Sequence, residues 1–405
     1  MRAAEAREQN TVLLLTQYFP PEPEFKCLPL ARHIVAAGHR VVVLTGLPNY
    51  PGGKLYTSHR WRLIQTEVLD GVEVVRLGTI LSHDRSALNR AMSYLSFGLA
   101  ALLVMPFLRV RPRSCYVYNL VTLIPAALIA RRLWKTRIIL DVQDLWPESV
   151  ESSGMMRMTW LLGLIRRICR AAYRNPDLVV AQSPGFRRRL LERGVSADRL
   201  RVILNWTRED VTAQSNDESS AESFRVVYTG NIGVMQGLDV VLRAAAKLRF
   251  QRPAVRFIFA GTGIEADRLQ RAAEGLPNVE FLGWMPPSEI GPLVESAGAL
   301  LLHLRDDPIF RDTIPSKLQA YLFAGRPILC GVYGDAAQVV AEADAGLSFN
   351  PDDEDALVRA VDQLMSTSNQ ERKAMGARGR AFYDRQMSQR SGLASFAELL
   401  LADDR

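Results

Sequence analysis

A short segment in the last third of the chain carries residues suited to binding an anion. The sequence TIPS at Thr313–Ser316 runs into a helix, where Pro315 takes a position that tolerates its missing N–H. Ser316 has a hydroxyl that can cap free backbone N–H groups, and Lys317 adds a cation at the helix start. Because a helix N-terminus presents backbone donors and a positive dipole end, these residues suit a diphosphate. An ordinary capped helix is the alternative interpretation.

Three glycine-containing segments follow strands in the same half of the chain and suit the same ligand. They are TGNIGVMQGLD, with Gly230, Asn231, Gly233, Gln236 and Gly237; AGTG, with Gly261; and GWMP, with Trp284 and Met285. Glycine lets backbone amides approach an anion closely, and the GWMP backbone can pair with the edge of a base. The spacing matches neither GxGxxG nor a Walker loop, so it does not indicate NAD or ATP.

The elements that position these segments follow a strand–helix–strand order, which predicts parallel sheets. Predicted strands of the first half are Thr11–Gln17, Arg40–Thr45, Val72–Leu77, Ser114–Asn119, Arg137–Val142, Leu178–Gln182 and Arg201–Leu204. Those of the second half are Phe224–Thr229, Arg256–Ala260, Val279–Leu282, Ala299–His303 and Ile328–Gly331, with helices at Leu238–Phe250, Ile264–Glu274 and Pro287–Glu295. The predicted fold is α/β, with two doubly wound, Rossmann-like domains and a ligand-binding cleft at the carboxyl ends of the strands.

The predicted domain boundaries follow a change in composition. Residues 1–207 form the first domain, and residues 208–223 (REDVTAQSNDESSAES) contain almost no apolar side chain and are predicted to be a linker. Residues 224–385 form the second domain. A C-terminal helix is predicted at Arg380–Asp403. We expect the segment 386–405, which includes most of this helix, to cross back onto the first domain.

Composition restricts the compartment and the partners. The four cysteines lie far apart, without a CxxC pair or a Cys/His cluster, as is typical of buried thiols in a reducing compartment. The polar N-terminus MRAAEAREQN leads directly into a strand and does not resemble a secretory signal. We therefore expect a cytoplasmic protein without a metal site.

The charge distribution favours an anionic surface as a partner of the first domain. Residues 1–207 carry a net charge of +14 and the remainder −7. Three apolar segments of this domain are followed by or mixed with arginines, and each is too short or too basic to span a bilayer; they are Tyr94–Leu108, Leu120–Ala130 and Met155–Arg174. Each could also be a helix packed on a sheet, but together they predict peripheral contact with an anionic membrane. No nucleic-acid module is evident.

Nearly the whole chain resembles the family 4 retaining glycosyltransferases of the GT-B fold. The second half carries GNIGVMQGLD, AGTG, FLGW and TIPSKLQAYLFAGRPIL, and the first half carries QYFPPE and LDVQDLWPES. It is similar to the bacterial polysaccharide-assembly branch, which includes the proposed N-acetyl-L-fucosamine transferases. The resemblance implies a nucleotide-diphosphate sugar as donor, which we expect to be UDP-linked. The basic amphipathic segments of the first domain favour a polyprenyl-diphosphate-linked saccharide as acceptor.

The resemblance also implies roles for individual residues of the second half. Gly230, Asn231, Gly233 and Gln236 match the diphosphate loop, Ser316 and Lys317 match its counterpart, and Trp284 and Met285 match the base contact. The glutamate pair of the family falls on Asp312, which keeps a carboxylate for the donor sugar, and on Ala320, which cannot bind the ribose. Asn231 and Gln236 replace basic residues of many relatives, so charge neutralisation depends more on Lys317, with Arg305 nearby.

In the first half, the resemblance places Gln143 and Asp144 where many relatives carry His-Asp facing the transferred sugar. Glu22–Glu24 replaces a small glycine loop beside the diphosphate, and Asn49–Lys54 suits an acceptor. Asp144 and Glu148 also have a structural interpretation, because WPE after a strand favours turns and caps. The catalytic residues that we predict are Lys317, Asp312 and Asp144.

The implied mechanism is departure of a diphosphate with retention at the sugar, by front-face attack and without a protein nucleophile. No cofactor and no divalent metal are expected. A sugar-nucleotide epimerase on the same fold, or a non-catalytic nucleotide-sugar-binding protein, are the alternative functions.

Overall fold

The computed structural model describes residues 11–50, 52–81, 87–146, 159–209 and 223–402. These residues form two compact units. The first contains the described residues up to Gln182, Phe186–Ile203 and the C-terminal segment from Leu393, and the second contains Ser183–Gly185 and Leu204–Gly392. Most of the predicted linker lies outside the described residues.

The first unit is built on an eight-stranded sheet with the order β3-β4-β2-β1-β5-β6-β7-β8. The strands are β1 (Thr11–Leu15), β2 (Arg40–Gly46), β3 (Ile64–Leu69), β4 (Val72–Leu77), β5 (Ser114–Tyr118), β6 (Arg137–Val142), β7 (Leu178–Ala181) and β8 (Leu200–Val202). All neighbouring strands are parallel except β3 and β4. The central strands are buried on both faces, as their continuous apolar sequences require.

The described helices of this unit are α1 (Cys27–Ala36), α2 (Ala87–Val104), α3 (Ile124–Trp134), α4 (Thr159–Arg174) and α5 (Pro184–Glu192). The first residues of α5 belong to the second unit. The last helix of the chain, α14 (Gln389–Leu401), belongs to the first unit from Leu393 on. From α14, Phe396 packs edge-on against Tyr116 of β5 with 5.5 Å between ring centroids. Arg113 and Arg137 donate hydrogen bonds to the carbonyls of Ala402 and Leu399. Helix α14 from Leu393 on therefore packs into the core of the first unit, where Phe396 and Leu400 are buried.

The second unit contains a six-stranded parallel sheet with the order β11-β10-β9-β12-β13-β14. The strands are β9 (Phe224–Thr229), β10 (Val255–Ala260), β11 (Val279–Gly283), β12 (Ala299–His303), β13 (Ile328–Gly331) and β14 (Gly346–Ser348). The described helices are α6 (Asp239–Gln251), α7 (Ala266–Ala272), α8 (Pro287–Glu295), α9 (Pro308–Arg311), α10 (Ser316–Ala324), α11 (Asp335–Glu342), α12 (Glu354–Ser366) and α13 (Asn369–Gln386). The carboxyl ends of all six strands meet at one edge.

The predicted α/β fold with two doubly wound halves is confirmed, and three details differ. The edge strand β3 was not predicted, because its mainly exposed sequence IQTEVL lacks the apolar run of a buried strand. Strand β14 was not predicted, because three residues are too few to show an apolar pattern. The single helix predicted at Arg380–Asp403 is wrong, because the chain leaves the helical conformation at Met387, between α13 and α14.

Helix α2 is apolar on two opposite faces. Phe97 and Ala101 are buried against the sheet, whereas Leu95, Leu99 and Leu103 are 61%, 57% and 61% exposed on the other side. Phe107, in a 3-10 turn after the helix, continues this row and is 80% exposed. In the described part of the chain, no helix is long and apolar enough to cross a membrane.

Candidate active site

The loops after β9 and β10 lie against each other so closely that only glycine fits at their contact. Gly261 has a φ of +143°, and a Cβ there would stand 1.8 Å from the carbonyl oxygen of Gly230. A Cβ on Gly263 would stand 2.1 Å from the oxygen of Ile232. Backbone hydrogen bonds join the loops, from Gly230 N to Ala260 O and from Ile232 N to Thr262 O, both 2.8 Å. The GNIG and AGTG segments thus form one surface, here called the donor loops (Thr229–Gly237 and Ala260–Gly263).

Lys317 reaches this surface from the first turn of α10. Gly230 has a φ of +119°, which favours glycine, and a Cβ there would stand 2.7 Å from Lys317 Cε, so the glycine leaves room for the lysine against the loop. The amine donates a hydrogen bond of 2.6 Å to the Tyr228 hydroxyl, which donates one of 2.5 Å to the carbonyl of Asn231. The Lys317 amine also lies 4.4 Å from the centroid of the Tyr228 ring.

No carboxylate in the described part of the chain pairs with Lys317. Burial lowers the pKa of its amine to about 8, because the charged form loses hydration. An anion bound at the donor loops would supply that missing charge and favour the protonated amine. A buried cation without a counter-ion, beside glycines that admit close approach, is the arrangement expected of an anion site.

The start of α10 differs from the prediction in one respect. Pro315 is the N-cap residue and Ser316 the first helical residue, and no side chain caps the helix. The predicted capping role of Ser316 is therefore wrong. Its exposed hydroxyl and the first backbone N–H groups of the helix stay available to a ligand. Gly325 ends the helix in the left-handed conformation with a φ of +66°.

Gln236 organises the donor loop from within. Its side-chain oxygen accepts a hydrogen bond of 2.9 Å from Gly233 N, and its backbone oxygen lies 2.6 Å from Nδ1 of the buried His303. The backbone N–H of Arg305 donates to Met235 O over 2.9 Å, which places this exposed arginine beside the same loop. Arg305 makes no ion pair among the described residues, so it can contribute to charge neutralisation.

Trp284 and Met285 follow β11 at the same edge of the sheet. Gly283, with a φ of +70°, accepts a hydrogen bond of 2.7 Å from Gly261 N, so this segment adjoins the donor loops. The Trp284 side chain is 70% exposed and Met285 is half-buried. Ile264, 76% exposed, adds further apolar surface after AGTG. An exposed indole at the rim of an anion site suits stacking with a base.

Asp312 and Ala320 lie before and within α10. Asp312 is half-buried in the loop that precedes the helix, and its carbonyl accepts a hydrogen bond of 2.6 Å from the Ser183 hydroxyl. Ala320 lies one turn beyond Ser316 on the same side of the helix. Its methyl group offers no hydrogen-bond acceptor to a ribose.

Asp144, predicted to be catalytic, belongs to the first unit and is exposed after β6. Asn119 holds it, since the amide donates to Asp144 Oδ2 over 2.7 Å and accepts from Asp144 N over 2.9 Å. Asn119 has a φ of +60°, which asparagine tolerates better than most residues. The neighbouring Gln143 turns inward and donates to Asp141 Oδ1 over 2.6 Å, so its amide nitrogen is engaged within the unit. Glu148 lies outside the described residues.

The carboxylates of Glu22 and Glu24 hold the backbone of the first unit. Glu22 is buried and accepts from the backbone N–H groups of Phe19, Asn49 and Tyr50. Glu24 accepts three N–H groups at the start of α1. Burial raises the pKa of both carboxyls, and these hydrogen bonds oppose that shift. A carboxylate thus occupies the N-terminus of α1, where an anion would otherwise bind.

Sequence reasoning missed two residues of the site. Tyr228 was interpreted only as part of a strand, although a tyrosine at the penultimate position of a buried strand must place its hydroxyl near the loop. Tyr321 follows Lys317 by one helical turn, and its hydroxyl accepts a hydrogen bond of 3.0 Å from Thr229 N. Helix α10 therefore holds the start of the donor loop at two points.

Two family models match this chain in the same two halves. The description "Glycosyl transferase 4-like domain" covers residues 26–206, and "Glycosyl transferases group 1" covers residues 223–367. The chain is a glycosyltransferase with a 4-like and a group 1 domain, an arrangement that fits family 4. Among the relatives of this glycosyltransferase is WcaI of Escherichia coli (strain K12), named as a colanic acid biosynthesis glycosyl transferase. It is 26% identical over 356 residues, which are 82% of this chain and 86% of WcaI.

Solved structures share the fold of this glycosyltransferase. Sucrose-phosphate synthase from Thermosynechococcus elongatus superposes with a TM-score of 0.67 at 15% identity, covering 96% of this chain and 98% of the synthase. Anabaena Alr3699/HepE, solved in complex with UDP and glucose, gives a TM-score of 0.66 at 16% identity, covering 97% and 99%. The predicted GT-B architecture and the predicted enzyme class are confirmed.

Proposed function

We propose that this glycosyltransferase moves a sugar from a UDP-linked donor to a lipid-linked saccharide during assembly of a bacterial cell-surface polysaccharide. The main support for a diphosphate-linked sugar donor is the buried Lys317 amine, which lies against the donor loops without a carboxylate partner among the described residues. The relative WcaI, named for colanic acid biosynthesis, supports the polysaccharide context. The UDP complex of HepE supports the choice of nucleotide.

In this proposal the second unit stabilises the leaving diphosphate. Charge grows on the diphosphate oxygens as the bond to the sugar breaks, and Lys317, the N–H groups of α10 and the donor-loop amides neutralise it. Arg305 adds a second cation from the other end of the loop. Trp284 and Met285 hold the base, and Asp312 holds hydroxyls of the donor sugar through its carboxylate. Ala320 leaves the ribose without the carboxylate contact of relatives.

The reaction retains the configuration at the anomeric carbon. The acceptor hydroxyl attacks from the face that the diphosphate leaves, so the carbon–oxygen bond to diphosphate breaks as the bond to the acceptor forms. The acceptor proton passes to a departing diphosphate oxygen, and no protein nucleophile is needed. Asp144, held by Asn119, orients the transferred sugar or the acceptor. Neither a cofactor nor a divalent metal takes part.

Peripheral contact with the inner face of the cytoplasmic membrane would bring the enzyme to its lipid-linked acceptor. The exposed row Leu95, Leu99, Leu103 and Phe107 of the first unit, with the exposed Arg109 and Arg111 after it, supports this contact. Leucine and phenylalanine insert among acyl chains while arginines bind anionic headgroups. Helix α4 adds the exposed Arg166, Arg167 and Arg170.

The proposal is tested in two steps. A thermal-shift screen of UDP-, GDP- and dTDP-sugars identifies the donor, with stabilisation expected from a UDP-sugar. The radiolabelled donor is then incubated with the enzyme and a bacterial membrane extract, and label is expected in the lipid fraction. Stabilisation by no UDP-sugar would overturn the UDP assignment, and label that never reaches lipid would overturn the acceptor.

A reaction without acceptor separates the proposal from an epimerase. We expect the donor sugar to be recovered unchanged after incubation with the enzyme alone. A second sugar nucleotide in that control would identify an epimerase, which requires acid and base residues at the sugar.

A further inference from the structure

A buried histidine joins the donor loop to the loop after β14. His303, the last residue of β12, is 1% exposed. Its Nδ1 lies 2.6 Å from the carbonyl oxygen of Gln236, and its Nε2 lies 2.8 Å from the carbonyl oxygen of Pro351. Both ring nitrogens therefore face oxygens that can only accept a hydrogen bond.

The charged form of this ring is the one that serves both carbonyls. A neutral imidazole carries a single N–H, so one of the two oxygens would face a ring lone pair at hydrogen-bond distance. An imidazolium donates from both nitrogens. Because a carbonyl that is shielded from water and lacks a donor destabilises the folded chain, the arrangement around His303 favours protonation of the ring.

Burial opposes that protonation. It lowers the pKa of His303 below the ordinary range, whereas the two carbonyls and Asp352, next to Pro351, raise it. The exposed Arg305 is a further charged group at the same loop, since a Cβ on Gly237 would stand 2.9 Å from Arg305 Cγ and 3.4 Å from His303 Cε1. At neutral pH the ring of the free protein is therefore uncharged, and an additional negative charge at the loop would shift its protonation.

Uncharged neighbours hold the ring against the loop. Phe349 stacks on His303 with 5.9 Å between ring centroids and an interplanar angle of 28°. A Cβ on Gly331 of β13 would stand 2.5 Å from His303 Cδ2, so the glycine leaves room for the ring. The imidazole is thus packed in place, and a change of protonation acts on its two hydrogen bonds.

The carbonyl that His303 contacts belongs to the turn that presents the donor-loop amides. The Gln236 side chain accepts from Gly233 N over 2.9 Å and closes the 3-10 turn Val234–Gln236. Loss of the donor at Gln236 O would free this turn to rotate and would displace the Gly233 amide. A diphosphate bound at the loop also attracts a cation beneath it, and the attraction is strong where water is excluded.

We propose that His303 is a positioning residue for the donor diphosphate: its ring takes up a proton from solvent when the donor binds, and the imidazolium holds the Gln236 carbonyl and with it the donor-loop amides. The ring acts through Gln236 from beneath the loop. This role rests on the proposed diphosphate-linked donor. Its pH window begins below the ordinary histidine pKa of about 6.5, where Lys317 is still charged.

Two substitutions separate positioning from structural support. Asparagine places its amide nitrogen near the position of Nδ1 and glutamine near that of Nε2, so His303→Asn keeps a donor for Gln236 and His303→Gln keeps one for Pro351. Each variant loses the ring and one hydrogen bond, so similar decreases in Tm are expected. At pH 7.5 the Kd for UDP is expected to rise about tenfold in His303→Gln, and asparagine is expected to restore it to within about threefold of wild type. Equal losses of UDP affinity in the two variants would overturn the positioning role.

The protonation of the ring is measured on the full chain by NMR. The 15N signals of the five histidines report the charge and tautomer of each ring, and His303→Asn assigns the signal of His303. Saturating UDP is expected to raise the titration midpoint of His303 by about one pH unit, which corresponds to about tenfold tighter binding of UDP to the charged ring. An unchanged or lowered midpoint would overturn the proposal. Failure of the wild-type protein to bind UDP would instead overturn the proposed function.

Discussion

Lys317 donates a hydrogen bond of 2.6 Å to the hydroxyl of Tyr228, and that hydroxyl donates in turn to the carbonyl of Asn231. The single proton of the hydroxyl is committed to the carbonyl, so its lone pair faces the amine. One side chain thus fixes the position of the cation and the backbone of the donor loop together. The amine has no competing carboxylate among the described residues, and its charge is available to a ligand.

Replacement of Lys317 by methionine is expected to abolish transfer and preserve the fold. Methionine keeps the apolar stem and removes a buried charge that lacks a counter-ion, so the Tm of the free protein is expected to stay or rise. UDP affinity is expected to fall by about two orders of magnitude, since a charged hydrogen-bond partner of the diphosphate is lost. Calorimetry with UDP and thermal unfolding measure the two effects. Retained transfer would contradict the role of Lys317.

Donor affinity is expected to fall as the pH rises through 8. Burial lowers the pKa of Lys317 to about 8 in the free protein, and the protonated amine is the form that binds a diphosphate. Binding therefore stabilises the proton, and UDP affinity drops by about tenfold per pH unit above that value. Calorimetry at pH 8 in buffers of different ionisation enthalpy is expected to show net proton uptake. Lys317→Met, which cannot titrate, is the control and should lose this component.

The same shift affects the stability of the free protein. The folded chain binds fewer protons than the unfolded chain between pH 8 and the ordinary lysine pKa of about 10.4. The contribution of Lys317 to the free energy of unfolding therefore rises with pH across that window. The Tm difference between wild type and Lys317→Met is expected to shrink from pH 7 to pH 10. A constant difference would show that the amine is not desolvated.

Tyr228→Phe is expected to shift the pH profile of donor binding toward lower pH. The ring stays in place, but the amine loses its hydrogen-bond acceptor and becomes harder to keep charged. Tyr321→Phe is the matched control, because it also removes a hydroxyl beside the donor loop but leaves Lys317 untouched. UDP affinity is measured from pH 6 to pH 9 for all three proteins. An equal loss for Tyr228→Phe at every pH would indicate a merely structural hydroxyl.

Leu99→Glu is expected to abolish binding to vesicles that contain phosphatidylglycerol. The substitution places a charge in the middle of the exposed apolar row of α2, and folding should tolerate it because the side chain is 57% exposed. Val68→Glu, on the edge strand β3 of the same unit, is the control at a 72% exposed position. Vesicle sedimentation measures binding, with phosphatidylcholine alone as a second control. Equal losses in both variants would contradict a contact centred on α2.

Gly261→Ala is expected to impair donor binding by separating the donor loops. Its Cβ would stand 1.8 Å from the oxygen of Gly230, so one loop must move. Gly163→Ala, on the exposed side of α4 with open space around it, is the control. That control is expected to gain about 0.5–1 kcal/mol in stability and to keep its UDP affinity. Unchanged UDP affinity in Gly261→Ala would contradict a binding role for these loops.

The sequence determined the fold class and the segments of the donor site. Apolar runs such as TVLLL and RIILDV predict strands that are buried on both faces of a parallel sheet. The glycines that follow strands in the second half indicate loops whose backbone can approach a ligand or another loop closely. The position of Lys317 at a helix start follows from TIPSK in the same way. These features depend on local sequence, which is why they could be recognised without a structure.

Tertiary structure alone decided what each polar side chain contacts. Tyr228 and Lys317 are 89 positions apart and Gln17 and Ser93 are 76 apart, and hydrogen bonds over such separations depend on strand order and helix packing. The break between α13 and α14 and the exposed antiparallel edge strand likewise depend on packing that no periodicity encodes. The lowered pKa values of Lys317 and His303 are consequences of burial, and burial is set by the whole folded chain.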